Sequence, residues 1–215
     1  MTRRGGRALV IAGGQAPTPA DLEGEPRWEW AVAADSGLDH AEALGLAVDV
    51  VVGDLDSVTP TALERARRAG VAIDEHPRDK DATDLALALD AALGLGASSL
   101  LVIGVGGGRP DHALANLLLL AAPAYADVEV DARTADARIA VVRSRPRSFR
   151  GQVGDVMTLL PVHGTARRVR TEGLRWPLVD EALAAGDTRG VSNEIAHSPG
   201  WVVAGEGVLL AIQPI

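Results

Sequence analysis

Up to about residue 126 the chain alternates short apolar runs with Ala- and Leu-rich stretches of helical length, an order that few folds accept. Residues 7–12, 30–35, 48–53, 71–75 and 99–104 read as strands, and the Val-rich 48–53 run has the texture of a strand buried on both faces. Residues 38–46, 61–69, 82–93 and 110–121 read as helices. Thr59-Pro60 opens the second of these and Gly70 stops it. Strand–helix alternation of this kind predicts a parallel sheet covered by helices, an α/β fold. Around Asp127 the helical period stops. Short apolar runs at 139–142, 156–160, 166–169, 202–204 and 208–212, punctuated by Gly and Pro, predict an antiparallel β-domain. The expected boundary puts an α/β domain at 1–135 and a β-domain at 136–215.

Composition narrows the chemistry. With 47% hydrophobic residues but four Trp, one Tyr and one Phe, the core must be filled by Ala, Val and Leu. The absence of cysteine removes disulfides, Cys-based zinc sites and a thiol nucleophile together, and is compatible with a reducing cytoplasm, the expected location. The first apolar run, 8–12, is too short for a signal sequence or a membrane span, so no membrane partner is expected. A net charge of −8 offers no basic face, and no nucleic-acid partner is expected. The densest basic stretch, Arg143 to Arg150, is either a phosphate-neutralising segment or a solvated loop or strand edge. Lysine occurs once, at Lys80, so a Gly-Lys-Ser/Thr phosphate loop is excluded.

Four polar segments stand out, three of them where a strand hands over to a helix. Ligands of open parallel sheets bind at the carboxyl ends of the strands. Asp35, in Ala34-Asp35-Ser36-Gly37, either caps a helix or faces a ligand. In Gly53-Asp54-Leu55-Asp56-Ser57, extended backbone would turn Asp54 and Asp56 to one side, a like-charge pair that a hard divalent cation would relieve. The alternative is a turn with two solvated carboxylates. In Asp79-Lys80-Asp81-Ala82-Thr83-Asp84, Asp81 fits as a helix N-cap with Asp84 as its partner three residues on. The local density of charge there also suits a polyphosphate with Mg²⁺. The fourth segment, Gly104 to His112, combines a Gly cluster that lets backbone N–H groups approach phosphate with Arg109, a bidentate phosphate donor. His112 is either a general base or a hydrogen-bonded structural residue.

In this order and spacing, Ala-Asp-Ser-Gly (34–37), Val-Gly-Asp-Leu-Asp-Ser (52–57), Lys-Asp-Ala-Thr-Asp-Leu (80–85) and Gly-Gly-Arg-Pro-Asp-His-Ala-Leu-Ala-Asn (107–116) resemble the thiamine pyrophosphokinase family. Thr-Glu-Gly-Leu-Arg-Trp-Pro-Leu (171–178) and Val-Ser-Asn-Glu-Ile (191–195) resemble the same family's thiamine-side segments. The resemblance implies a Rossmann-like α/β catalytic domain, a C-terminal antiparallel β-sandwich and a homodimer. It implies transfer of a diphosphate from ATP, the co-substrate, to the hydroxyl of thiamine. It places Mg²⁺ on Asp54, Asp56 and Asp84. Catalysis would also involve Arg109 and Asp111. Asp35, Lys80, Asp81, Thr83, Gly107, Arg109, Asp111 and His112 would line the nucleotide and diphosphate, and Trp176, Ser192 and Asn193 would contact thiamine. Trp176 has one independent physical support, since an indole face attracts the cationic thiazolium. As a core aromatic it would instead be buried. Ser36, Asp39, His40 and Ala86 depart from the family's usual residues. A pterin-alcohol diphosphokinase on the same scaffold and a non-catalytic thiamine or nucleotide sensor are the competing functions.

Overall fold

A computed structural model of the chain describes residues 5–215. It divides into two compact units: one running to Leu117 and adding Asp127–Ala135, the other holding Leu118–Ala126 and Asp136–Ile215. In the first unit lie strands β1 (Gly6–Ile11), β2 (Trp30–Ala34), β3 (Val50–Gly53), β4 (Ala72–Glu75), β5 (Ala97–Ile103) and β6 (Glu129–Thr134). Their order across the sheet is β6-β5-β1-β2-β3-β4, and every pair is parallel. Helices α1 (Gly37–Ala43), α2 (Pro60–Ala69) and α3 (Asp84–Gly94) connect the strands, and α4 (Pro110–Leu120) follows β5.

The central strands are fully apolar because both faces are covered: Leu9, Ile11, Leu101 and Ile103 have no exposed surface. Ile11 aligns with Ala33 on one side and Ile103 on the other, so the carboxyl ends of β1, β2 and β5 finish level. The chain steps outward from β1 to β4, then returns to place β5 on the other flank of β1. That reversal makes β1 the switch point of a doubly wound sheet, where ligands of such sheets bind. The α2 ends follow the sequence reading: the Thr59 side chain accepts from Ala62 N, and Gly70 closes the helix at φ +79°. For α3 the expected cap is corrected. Thr83, not Asp81, is the N-cap, its hydroxyl accepting from Ala86 N at 3.3 Å, while Asp81 is exposed. Strand β6 had no counterpart in the sequence reading. Its Val130 and Ala132 are buried between polar neighbours, a pattern too short to stand out beside the long apolar runs.

The second unit contains β7 (Ala137–Val142), β8 (Arg147–Phe149), β9 (Val156–Glu172), β10 (Val179–Leu183), β11 (Asn193–Glu194) and β12 (Gly200–Pro214). All its strand pairs are antiparallel. The runs at 156–160 and 166–169 are two halves of one 17-residue strand, and 202–204 and 208–212 are two halves of another of 15 residues. The first half of β9 pairs with the second half of β12, with a register shift between Glu206 and Val208. His163, Gly164 and Gly207 carry positive φ at these bends, so exposed polar residues interrupt the apolar pattern and imitate turns. Aliphatic side chains dominate this core, with Leu159, Leu178, Leu183, Ile195 and Leu209 among its most buried members. Arg143, at the start of the basic stretch, is half-buried, while Arg145 and Arg150 are exposed. Arg143 donates to Ala121 O at 2.7 Å and Ala122 O at 3.0 Å, satisfying the carbonyls just past α4.

Candidate active site

A cleft of about 680 Å³ opens at the carboxyl ends of the parallel strands. Its walls come from Gly13–Gln15 after β1, Asp35 and Ser36 after β2, Asp54, Asp56 and Ser57 after β3, the segment before α3, and Gly106–Arg109 after β5. The loops after β1 and β5 are joined by backbone: Gly14 N donates to Gly104 O at 2.9 Å and Gln15 N to Gly106 O at 2.7 Å. A Cβ on Gly14 would stand 2.4 Å from Gly104 O, so the close approach requires glycine there. Asn116 Nδ2 donates to Val105 O at 3.2 Å and braces the same loop from α4.

On the opposite side of the cleft three carboxylates converge. One oxygen each of Asp35, Asp54 and Asp84 lies within 4.8 Å of the others. Gly53 makes room for this. Its φ is +146°, and a Cβ would stand 2.8 Å from Asp84 Oδ1 and 3.2 Å from Asp35 Cβ. Lys80 Nζ enters the cluster, 3.1 Å from both Asp54 Oδ2 and Asp84 Oδ1. The contact with Asp54 is a hydrogen bond. That with Asp84 is an ion pair by distance only, and Asp84 Oδ1 and Asp35 Oδ1 are both buried without a hydrogen-bond partner. Burial pushes the Asp35 carboxyl above its ordinary value; Ser36 and Ser57 pull the other way, and the Asp84 charge adds to the rise. The hydrogen bond from Lys80 holds Asp54 below its ordinary value.

Asp56 is not in the converging set. Leu55 takes φ +61°, a left-handed conformation that breaks the extended geometry on which the expected Asp54–Asp56 pairing rested. Asp56 instead forms an ion pair with Arg78 at 2.7 Å on the cleft wall and accepts from Ser57 Oγ at 2.9 Å. Asp35 supplies the third carboxylate, and its signal was a position at a strand end. The Gly13-Gly14-Gln15 loop, Arg78 and Asn116 also line the cleft without having been singled out; the first sits at a strand end like the others. Gly107, Arg109 and His112 line the cleft as well, with Arg109 and His112 exposed. Asp111 does not line it. Arg109 grips Asp111 through two bonds, Nε to Oδ1 at 3.1 Å and a terminal nitrogen to Oδ2 at 2.5 Å, and so holds the Asp111 carboxyl down to about 2.

In the second unit, Trp176, Ser192 and Asn193 come together. The Asn193 side chain is buried and bonded to backbone: Oδ1 accepts from Trp176 N and Glu194 N, and Nδ2 donates to Trp176 O at 2.7 Å. It clamps the tryptophan's main chain. Trp176 is 44% exposed, which rules out a core aromatic. The Arg175 guanidinium lies 4.9 Å from its ring centroid and is tethered to Glu194 at 2.6 Å, so the indole already carries a cation. Ser192, at φ +55°, is exposed beside it.

Two family models match the chain: "Thiamin pyrophosphokinase, catalytic domain" over residues 26–131, and "Thiamin pyrophosphokinase, vitamin B1 binding domain" over residues 147–209. The chain belongs to the thiamin pyrophosphokinase family. Thiamine pyrophosphokinase of Bacillus subtilis is 27% identical over 209 residues, covering 95% of this chain and 96% of that protein. Its crystal structure superposes with a TM-score of 0.82 at 25% identity, covering 97% of this chain and 98% of that one. The yeast thiamin pyrophosphokinase structure shares the fold at 15% identity, with a TM-score of 0.76 over 99% of this chain and 87% of that one. Among the described residues no helix is long and apolar enough to cross a membrane.

Proposed function

We propose that this chain is a thiamine diphosphokinase that moves the β,γ-diphosphate of ATP onto the hydroxyl of thiamine. The hydroxyl oxygen bonds to the β-phosphorus, the bond from that phosphorus to the α,β-bridging oxygen breaks, AMP leaves, and the hydroxyl proton passes to solvent or a base. The observation that carries this reading is the convergence of Asp35, Asp54 and Asp84 at the switch point of a chain whose two halves match the two domain models of one family.

The donor set fits Mg²⁺. All three groups are hard carboxylates, and two of their oxygens are buried without hydrogen bonds. Asp54 and Asp84, with Asp35 replacing Asp56 as the third carboxylate, would hold the ion. When bound, Mg²⁺ neutralises phosphate charge and aligns the diphosphate for transfer. The chain's own groups do the rest. Backbone N–H groups of the Gly106–Gly108 loop and Arg109 bind phosphate oxygens, and Arg109 trades Asp111 for the anion that enters. Thr83 can donate its hydroxyl hydrogen while its oxygen caps α3. Asp81, exposed and outside the cleft lining, contributes charge to the approach rather than contact. Asp111, held at about 2, is a weak proton acceptor at neutral pH. Trp176 offers an indole face to thiamine, with Ser192 beside it. We read the antiparallel unit as the family's β-sandwich, and the chain as a cytoplasmic homodimer. Supporting the dimer, α4 leaves Leu114 60% exposed on an apolar helix.

The test is AMP release from purified protein with ATP, Mg²⁺ and either thiamine or a pterin alcohol. AMP and thiamine diphosphate are expected with thiamine only, and Asp54→Asn is expected to lose at least about 100-fold in turnover while keeping its fold. A folded sample that releases no AMP with thiamine refutes the reading.

A further inference from the structure

Lys80 is the only lysine in 215 residues. Its side chain is 12% exposed, and its ammonium stands 3.1 Å from Asp54 and 3.1 Å from Asp84, the two carboxylates that would hold the metal. An ammonium is a compact point charge on a flexible stem, suited to bridging two separate carboxylates where a planar guanidinium would demand a single bidentate partner. One ammonium does not balance the set. Three carboxylates against one lysine leave a formal charge of −2 (−3 + 1), and Asp35 Oδ1 and Asp84 Oδ1 remain buried without a hydrogen bond.

We propose that Lys80 is an internal stand-in for the metal. In the metal-free protein its ammonium keeps Asp54 and Asp84 in place, and it competes with a divalent cation for the same oxygens. This rests on the reading of Asp35, Asp54 and Asp84 as the metal site. Lys80 lies on the non-helical segment before α3, so its side chain can swing out without unwinding an element. A released ammonium needs a new anionic partner, and an entering polyphosphate would supply one of higher charge than any single carboxylate of the cleft wall. Metal and nucleotide therefore reinforce each other's binding through Lys80, each binding weakly alone.

Having one lysine makes this directly observable. Protein labelled with ¹³C and ¹⁵N in lysine gives a single side-chain signal, which is followed during a Mg²⁺ titration without nucleotide, together with the backbone amides of Asp54 and Asp84. The lysine signal is expected to shift in step with the amides. Amides that move while the lysine signal stays still would overturn the stand-in role and leave the metal site intact; if neither moves, both readings fall. In a second arm, Mn²⁺ binding to nucleotide-free Lys80→Met, followed by electron paramagnetic resonance, should be about tenfold tighter than in the unaltered protein, because a cation about 3 Å from each carboxylate is gone. Metal-free Lys80→Met should also gain more melting temperature from Mn²⁺ than the unaltered protein does. Unchanged or weaker Mn²⁺ binding would refute the competition. Should Lys80→Met not fold, the titration of the unaltered protein decides alone.

Discussion

Gly53→Ala places a methyl group where the acidic cluster has no room. The new Cβ would stand 2.8 Å from Asp84 Oδ1 and 3.2 Å from Asp84 Cγ, so the carboxylate must retreat by roughly 0.5 Å to reach ordinary contact. The backbone adds a penalty of its own, because φ of +146° is a conformation that essentially only glycine adopts, at about 1–3 kcal/mol for another residue. In a chain of this length each kcal/mol lowers the melting temperature by about 2–4 °C, so a drop of about 2–12 °C is expected. The retreat of Asp84 has a separate consequence for the metal. The Mg²⁺ concentration for half-maximal AMP release should rise at least about tenfold, the usual scale for displacing a ligand or its support, while KM for thiamine stays unchanged. Gly45→Ala is the control: φ is +66° but no atom lies within 4 Å of its Cβ, so it should show the thermal loss without the Mg²⁺ effect. Differential scanning calorimetry and the AMP assay at graded Mg²⁺ read the two effects. A Gly53→Ala protein that keeps its melting temperature within about 1 °C and its Mg²⁺ dependence would refute the packing argument and the metal assignment of Asp84 together.

Trp176→Ala should raise KM for thiamine by about tenfold, the scale of a desolvated cation–aromatic contact, and leave KM for ATP unchanged; equal effects on both substrates would make Trp176 structural. Arg143→Met deletes two charge-assisted bonds to the carbonyls of Ala121 and Ala122 and should destabilise by about 1–3 kcal/mol, with turnover of the folded fraction intact; a lowered turnover without a stability change would contradict this. Asp111 has its folded carboxyl at about 2 against 3.8 ordinarily, so whatever stability its pair with Arg109 adds is present above 3.8 and lost as pH falls through about 2. Because both side chains are exposed, Asp111→Asn should leave the melting temperature at pH 7 nearly unchanged. It should also keep the shape of the kcat/KM profile between about pH 5 and 9; disappearance of an acidic limb would instead make Asp111 the proton acceptor.

Much of the first unit was legible because its strands are continuous apolar runs and its helices carry their own boundaries. Val50–Gly53 and Ala97–Ile103 overlap the expected runs closely, and α2 keeps both its Thr59 cap and its Gly70 stop. The second unit was harder for a physical reason. Its two long strands bend at exposed positions, so one strand reads as two, and β10 is an edge strand with only Leu183 fully buried. At the site, the rule that strand ends carry function found Asp35, Asp54 and the Gly loop. The choice among carboxylates depended on one backbone angle, that of Leu55, which no periodicity encodes. Asn193 shows the complementary case: residue type suggested a ligand contact, and the fold uses its amide to fasten Trp176.

The backbone bonds that join the loops after β1 and β5 make two segments, ninety residues apart, behave as one in evolution and in engineering. Lengthening either loop by a residue would take Gly14 N or Gln15 N out of register with Gly104 O or Gly106 O, and would shift the whole glycine-rich side of the cleft at once. Tolerated insertions should therefore appear in pairs or not at all, and glycine should be kept at both positions 14 and 104 among relatives, since a Cβ at either would meet backbone oxygen. Grafting a nucleotide preference from another member of the family would require transplanting both loops, since neither has an independent shape to carry with it.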